Sequence, residues 1–389
     1  MAFQANEISY CSNVHAGETL AEIIQNFSRF IQPVRHQRAL STMATGLWIS
    51  AAAARELRDK QALVSFKQAL KQSDLQLTSL NGFPYGGFHQ EKVKDQVYLP
   101  DWSDPARLNY SKNLAAILAA CLPDNCESGA ISTLPLGYKS HWNKQKQQAA
   151  IRHLVELMIY LNQLKQQTGK HILICLEMEP DCVLESTDEL IEFFVVQARP
   201  QIMFHDHLAV CYDVCHQAVM FEDGYQAIQR IVDANITIGK IQLSSALQAL
   251  FTGDDDSLLT LLLQFCEPKY LHQVKCKNAE GQLIDCFDLS AALEDNRLEG
   301  DWRIHFHVPI NTGHLIHPQL KTTRDDLLRV FDFLRDNPSI KPCLEVETYS
   351  WQVLPAGIRP KDDLELIAGI VNELRWVETE LLKRDLLNS

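Results

Sequence analysis

Ile172-Leu173-Ile174-Cys175-Leu176-Glu177-Met178-Glu179-Pro180 is an apolar run that ends in two carboxylates one residue apart and is closed by a proline. Five consecutive apolar residues predict a strand buried on both faces, as in a parallel sheet, rather than the alternating strand of a sheet with one wet face. The stretch before it sets Leu154, Val155, Met158, Leu161 and Leu164 along one helical face. A helix feeding a buried strand is the repeating element of an α/β protein.

The same alternation continues in both directions. Toward the N-terminus, strands are predicted at 8–11, 46–50, 77–81 and 130–134. Between them, Leu20, Ile23, Ile24, Phe27 and Ile31 share one helical face, 51–72 is rich in Ala and Leu, and a further helix covers about 104–121. The polar, Gly- and Pro-containing segment 82–107 predicts an elaborated loop. Toward the C-terminus, strands are predicted near 209–213, at 238–243 and at 343–348. The seventh leads into a Leu-rich helix, and the last into a helix carrying Leu364, Ile367, Ile370, Val371 and Leu374. Within 270–308, Gln273-Val274-Lys275-Cys276-Lys277 and Leu283-Ile284-Asp285-Cys286-Phe287 flank Ala279-Glu280-Gly281 as a β-hairpin inserted before the last strand. Strands joined by helices run parallel with right-handed crossovers. Eight such units close most naturally as a (β/α)8 TIM barrel, spanning 1–389 as a single domain. A doubly wound open sheet is the alternative.

Bulk properties narrow the function. Of 389 residues, 46% are hydrophobic and 22% charged, which supports a substantial core. The net charge of -13, with no basic cluster, repels a phosphate backbone, so no nucleic acid partner is expected. Eleven Cys without disulfide-framework or C-x-x-C spacing suit a reducing cytoplasm. The opening MAFQANEISYCSNVHAGE lacks a basic-then-apolar leader, and no window approaches eighteen uninterrupted apolar residues, so neither a signal peptide nor a membrane span is expected.

Barrel active sites form at the carboxyl ends of the strands, where this sequence places unusual residues. Glu177 and Glu179 share one face of the fifth strand because side chains alternate, and Leu344-Glu345-Val346-Glu347-Thr348 repeats the device on the eighth. Carboxylates aimed into a low-dielectric interior need a compensating charge. A divalent cation supplies one; a buried Arg or backbone amides would also do so. Glu179 and Glu347 stand nearer the carboxyl end and are the expected ligands, with Glu177 and Glu345 a layer deeper. Tyr212-Asp213-Val214-Cys215-His216 adds Asp213 at the sixth strand end and His216 in the turn beyond. Oxygen with imidazole suits Zn or Mn, and also Fe or Co, better than Ca.

His305-Phe306-His307 presents two imidazoles to one side of an extended segment, and Gln242 and His272 are further candidate ligands. His15 and His89 follow the first and third strands and are candidate substrate contacts, with His216 and Glu177. The string Asn81-Gly82-Phe83-Pro84-Tyr85-Gly86-Gly87-Phe88-His89 reads as an aromatic lid without the Lys-Ser or Lys-Thr of a phosphate loop. His205 and His207 around Asp206 precede the sixth strand and read as structural residues at the opposite end. No G-x-S-x-G nucleophile motif occurs.

This constellation resembles the xylose isomerase-like TIM barrels, which include sugar phosphate isomerases and epimerases and the endonuclease IV class. Glu179 before Pro180 looks like their fifth-strand metal glutamate, Asp213 with His216 resembles their sixth-strand pair, and Glu347-Thr348 looks like the eighth-strand glutamate. His305-Phe306-His307 is similar to the Asp-x-His of the endonuclease branch. Gln242 stands where the family usually has a seventh-strand His, a departure in the ligand set. The strings Tyr10-Cys11-Ser12-Asn13-Val14-His15, Asn81-Gly82-Phe83-Pro84-Tyr85-Gly86, Tyr270-Leu271-His272-Gln273-Val274, His305-Phe306-His307-Val308-Pro309 and Leu344-Glu345-Val346-Glu347-Thr348-Tyr349 look like the EboE family of bacterial ebo operons. That resemblance implies a role in secondary-metabolite biosynthesis or traffic, with other ebo operon proteins as partners.

Three functions follow as expectations. One is a metal-dependent isomerase or epimerase-like enzyme acting on a small polyhydroxylated or carbonyl metabolite, with Glu179 and Glu347 as general base and acid. A second is a phosphoester hydrolase with two or three metals that recruits His272, His305 and His307. The third is a metabolite-binding protein that turns over nothing.

Overall fold

The structure, a computed structural model, describes residues 2–251, 256–294, 299–315 and 317–388. Eight parallel strands form its centre: β1 (Ser9–Tyr10), β2 (Met43–Trp48), β3 (Leu75–Asn81), β4 (Ser128–Thr133), β5 (His171–Glu177), β6 (Leu208–Asp213), β7 (Ile238–Leu243) and, last in the chain, β13 (Cys343–Val346). They lie in the order β1-β13-β7-β6-β5-β4-β3-β2. A single parallel bridge from Cys11 to Gly46 joins the two edges, so the sheet curls into a nearly closed barrel.

The local reasons are visible around β5. The preceding helix, Lys144–Thr168, is started by Asn143, whose side chain accepts the backbone N–H groups of Gln145 and Lys146, and is ended by Gly169 at φ 74°. It buries Leu154, Leu157, Met158 and Leu161, while Ile172, Ile174 and Leu176 of β5 belong to the same core. Strands predicted from apolar runs all form, but β2, β3 and β4 start two or three residues earlier than expected. Met43, for example, opens β2. Their first residues sit among small side chains that carry little periodicity.

Material between β7 and β13 is more elaborate than one hairpin. The expected pair does meet antiparallel, as β9 (Val274–Lys277) and β10 (Leu283–Cys286). It joins β8 (Ala246–Phe251), β11 (Gly300–His307) and β12 (Leu320–Thr322) in a five-stranded antiparallel sheet of order β10-β9-β11-β8-β12. The seventh strand therefore leads into β8, not directly into the Leu-rich helix, which follows at Asp256–Leu262. Leu247, Ala249 and Phe251 are buried while Gln248 and Leu250 are more exposed; this period-two pattern is masked in sequence because Ala and Leu also favour helices. A second core under this sheet gathers Leu247, Phe265, Trp302, Ile304 and Phe306. Since Ile304 and Phe306 face that core, alternation turns His305 and His307 the other way, toward the barrel mouth.

Inside the barrel, Lys240 of β7 donates to Glu345 of β13 at 2.6 Å, and both side chains are fully buried. Ser9 (3.2 Å) and Ser79 (2.5 Å) donate to the second oxygen of Glu345. A Cβ at Gly46 would overlap this carboxylate. Gly46→Ala is therefore expected to cost about 3 kcal/mol, the upper end for overpacking, read as a lower urea midpoint. An unchanged midpoint would contradict the packing. Among the described residues, no helix is long and apolar enough to cross a membrane, and no disulfide joins the cysteines.

Candidate metal centre

Strand ends bring the candidate ligands together. Glu177 closes β5, Asp213 closes β6, Gln242 lies beside Asp213 in β7, and Glu347 follows β13. One carboxylate oxygen from each of Glu177, Asp213 and Glu347 falls within 4.8 Å of the others, and all three residues are buried. Glu177 Oε2 and Asp213 Oδ2 have no hydrogen-bond partner. Gln242, fully buried, has neither amide atom partnered.

Asp213 is fixed by its other oxygen. As N-cap of the short helix Val214–Val219 it accepts the His216 N–H at 2.9 Å, and it also accepts Ser244 Oγ at 2.8 Å. Capping places His216 in the first helical turn, where its Nδ1 lies 2.7 Å from the Met178 carbonyl. His307 Nδ1 lies 2.7 Å from the Glu347 carbonyl. A carbonyl only accepts, so both Nδ1 atoms carry the proton and both Nε2 atoms present lone pairs. Those two Nε2 atoms face one another at 3.4 Å. With both rings neutral, two lone pairs held toward each other in a buried space repel, and a shared cation, a metal ion or a proton, relieves them.

His305 extends the imidazole side. Its Nδ1 lies 2.8 Å from Gln273 Oε1, whose amide nitrogen donates to Tyr98 Oη and the Pro180 carbonyl; Nε2 is left without a partner. The His305 and His216 rings meet edge-on at 4.6 Å. Cys215 Sγ also comes within ligand reach of His305 and His307. Donor atoms thus form a carboxylate pocket and an imidazole pocket that meet at Asp213 and His216. The set fits a divalent ion of the zinc or manganese kind: two Nε2 atoms oriented by the backbone carbonyls that hold their Nδ1 atoms, and carboxylate oxygens with nothing else to bind.

The environment perturbs these groups in a consistent direction. Burial, with Glu347 and Asp213 close by, raises the Glu177 pKa well above the usual carboxylate range. Burial pushes Glu179 up to about 7 against the opposing effects of His216 and the Tyr98 hydrogen bond. Burial and then Asp213 push Glu347 up to about 8. Burial lowers His305 well below its usual value and His307 to about 4. Raised carboxylates mean that the folded, metal-free chain holds protons the unfolded chain has already lost, so they make stability fall as pH rises from the ordinary glutamate value toward 7–8. Metal binding must release the same protons. Affinity for zinc is therefore expected to rise by up to about 100-fold between about pH 6 and pH 7, two protons per ion, and to flatten above about pH 8. A pH-independent affinity in calorimetric titrations would contradict this.

Other sequence candidates are placed as follows. Tyr98 Oη donates to Glu179 Oε1 at 2.6 Å, and His305 Nδ1 stands 3.9 Å from the same oxygen, so Glu179 lies at the imidazole side of the cluster. Glu345 is satisfied by Lys240, Ser9 and Ser79 a layer below, which separates it from Glu347. His272 has both ring nitrogens engaged, with the His305 carbonyl and with Glu267, and stands behind the cluster. His15 stacks on Phe30 and pairs with Tyr10 Oη, and His89 packs on Trp48 and meets the Asn13 carbonyl; neither lines the central cavity.

That cavity, about 530 Å³ with its open mouth included, has Glu177, Glu179, His216, His305 and Glu347 on its floor and Phe83, Phe88, Tyr98, Tyr270 and Tyr349 among its walls. Sequence reasoning missed Asn13 and Asn81, which donate to Glu347 Oε1 at 2.8 and 3.0 Å. Asn81 ends β3, so the strand-end rule applied to neutral residues finds it. Tyr98 comes from the long loop after β3 and carries no local signal.

No protein-family model matches the chain, and no curated protein matches it. Among solved structures it is similar to the probable 3-DHS dehydratase AsbF involved in petrobactin synthesis from Bacillus anthracis, at 13% identity over 95% of this chain and 98% of that one, TM-score 0.47. It is also similar to the 3-keto-D-glucoside 4-epimerase YcjR from E. coli, at 11% identity over 96% and 99% of the two chains, TM-score 0.47. A third is the IOLI protein with a binding zinc atom, at 10% identity over 97% and 98%, TM-score 0.45. These likenesses concern the barrel architecture.

Proposed function

We propose that the chain is a single-domain, metal-dependent barrel enzyme of the isomerase or epimerase type, acting on a small, neutral hydroxy-carbonyl metabolite. The observation that carries this reading is the facing of His216 Nε2 and His307 Nε2 at 3.4 Å, each with Nδ1 committed to a carbonyl, beside the unpartnered oxygens of Glu177 and Asp213. Asp213, His216, His307 and Glu177 would hold the ion, with Glu347, Gln242 and His305 within the same cluster. When bound, a divalent ion supplies Lewis-acid polarisation of a substrate oxygen.

The remaining work falls to side chains of this chain. Glu179, steadied by Tyr98, and Glu347, steadied by Asn13 and Asn81, line one cavity, so one takes a proton from the carbon beside a carbonyl and the other returns one. In the ion-free chain burial raises both carboxyls, to about 7 and about 8. Lys94 is the one Lys or Arg among the cavity's described lining, and it is paired with Asp288 at 2.6 Å. That leaves no free side-chain cation for a phosphate, which favours a neutral substrate over a phosphoester.

The EboE resemblance supports placing this substrate in secondary-metabolite biosynthesis or export, with ebo operon proteins as partners, and the free thiols support a reducing cytoplasm. Incubating metal-loaded protein with a small-molecule extract in deuterated water tests the chemistry. One compound is expected to gain deuterium at carbon with the parent and not with Glu179→Gln. Should no compound gain deuterium, the non-catalytic binding role replaces this one.

A further inference from the structure

At the other end of the barrel a second group of metal-binding side chains lies outside the centre described above. His171 opens β5, and Asp206 and His207 belong to the one-turn helix His205–His207 that leads into β6. Adjacent parallel strands thus bring the three residues together at their amino ends, far along both strands from Glu177 and Asp213. One ligand atom from each lies within 4.8 Å of the others.

One of the imidazoles is prepared as those at the mouth are. His207 is fully buried, and its Nδ1 lies 2.9 Å from the Ile172 carbonyl, so Nδ1 carries the proton and Nε2 a lone pair. That Nε2 has no hydrogen-bond partner, and neither has His171 Nε2. The two rings meet edge-on at 4.6 Å, and Asp206 Oδ2 stands 3.6 Å from His171 Nε2. A backbone carbonyl orienting a buried imidazole, a second unpartnered imidazole and a carboxylate are the parts of a three-residue zinc site.

We infer that His171, Asp206 and His207 bind a second, separate cation of the zinc class, with water in the fourth position. Nitrogen ligands exclude a magnesium or calcium preference. Zinc ligands about 2.0–2.2 Å from the ion stand roughly 3.4 Å apart, so the side chains must close in by about an ångström. His171 and Asp206, 27% and 55% exposed at their side chains, have the freedom to do so. Lys165, 3.5 Å from Asp206 and 41% exposed, turns out into water as the ion takes its place beside the carboxylate. The ion ties the segment before β6 to the start of β5. At this end of a barrel such a tie stabilises and takes no part in chemistry.

Tag-free, chelator-stripped protein titrated with cobalt(II), followed by its visible absorption and by calorimetry, tests the assignment. His171→Gln, at a partly exposed position, is expected to bind one equivalent fewer than the parent, or to bind it about 100-fold more weakly, while Asp213→Asn retains that equivalent. Asp206→Asn weakens the same equivalent. Circular dichroism of each variant verifies the fold. If His171→Gln takes up as much cobalt as the parent with the same affinity, or if the parent takes up none, the assignment is overturned.

Discussion

Asp213→Asn is expected to weaken zinc or manganese binding at the strand-end centre by at least about 100-fold, a loss already reached when only outer-shell partners of a metal ligand are removed. The substitution isolates charge from shape. An Asn Oδ1 still accepts the His216 N–H and Ser244 Oγ, so the helix cap and the position of His216 survive. What disappears is the anionic oxygen that has no partner and that raises the pKa of both Glu177 and Glu347. The metal-free chain should accordingly gain about 1 kcal/mol, because an amide in that place donates to the neighbouring carboxylates instead of repelling them. A variant that loses affinity and gains apo stability is hard to reconcile with a purely structural Asp213. Calorimetric titration and urea unfolding without metal read the two effects separately, and a variant with parental affinity would remove Asp213 from the centre.

Lys240→Met should destabilise the chain by about 3–5 kcal/mol, whether or not metal is present. Its ammonium group faces the Glu345 carboxylate at 2.6 Å with both side chains fully buried, so truncation strands a charge that neither solvent nor the two serines can neutralise. The double change Lys240→Met with Glu345→Gln removes both charges and is expected to recover most of the loss. Recovery would assign Glu345 to a closed ion pair beneath the centre. A single variant within about 1 kcal/mol of the parent in urea unfolding would contradict that pairing and reopen Glu345 as a ligand.

These two tests reflect how the sequence and the fold divide the work. Strand existence was legible because buried parallel strands are apolar throughout, as in 172–176, and because helices such as Lys144–Thr168 show one apolar face. Strand ends then pointed to Glu179, Asp213 and Glu347 as ligands, with Glu177 a layer deeper, whereas the folded chain draws Glu177 rather than Glu179 against Asp213 and Glu347. Three things were not legible. The sheet built on β8 was hidden because Ala and Leu alternate without a helix-breaking residue. Glu345 was already read as lying a layer below Glu347, but its partner there was not: Lys240, a lone cation in Ile238-Gly239-Lys240-Ile241-Gln242 whose inward direction follows from the same alternation that put Gln242 inside. The separation of His272 from His305 and His307 depended on hydrogen bonds to Glu267 and to a backbone carbonyl, and no spacing rule reports those.

Asp206 and His207 teach the converse. Their position before β6 correctly put them at the amino-terminal end of the barrel, but the distance from the mouth said nothing about whether their donor atoms were satisfied. The unpartnered Nε2 of a buried His207 is a property of the folded chain alone.

The strand-end cluster is a metal centre only if it holds an ion through Asp213. Elemental analysis of native, tag-free protein beside its Asp213→Asn variant measures this most directly. The parent is expected to carry at least one tightly held equivalent of zinc or manganese that the variant lacks, over and above any ion retained by His171 and His207; equal metal content in the two proteins, or a parent that folds and carries none, would contradict it.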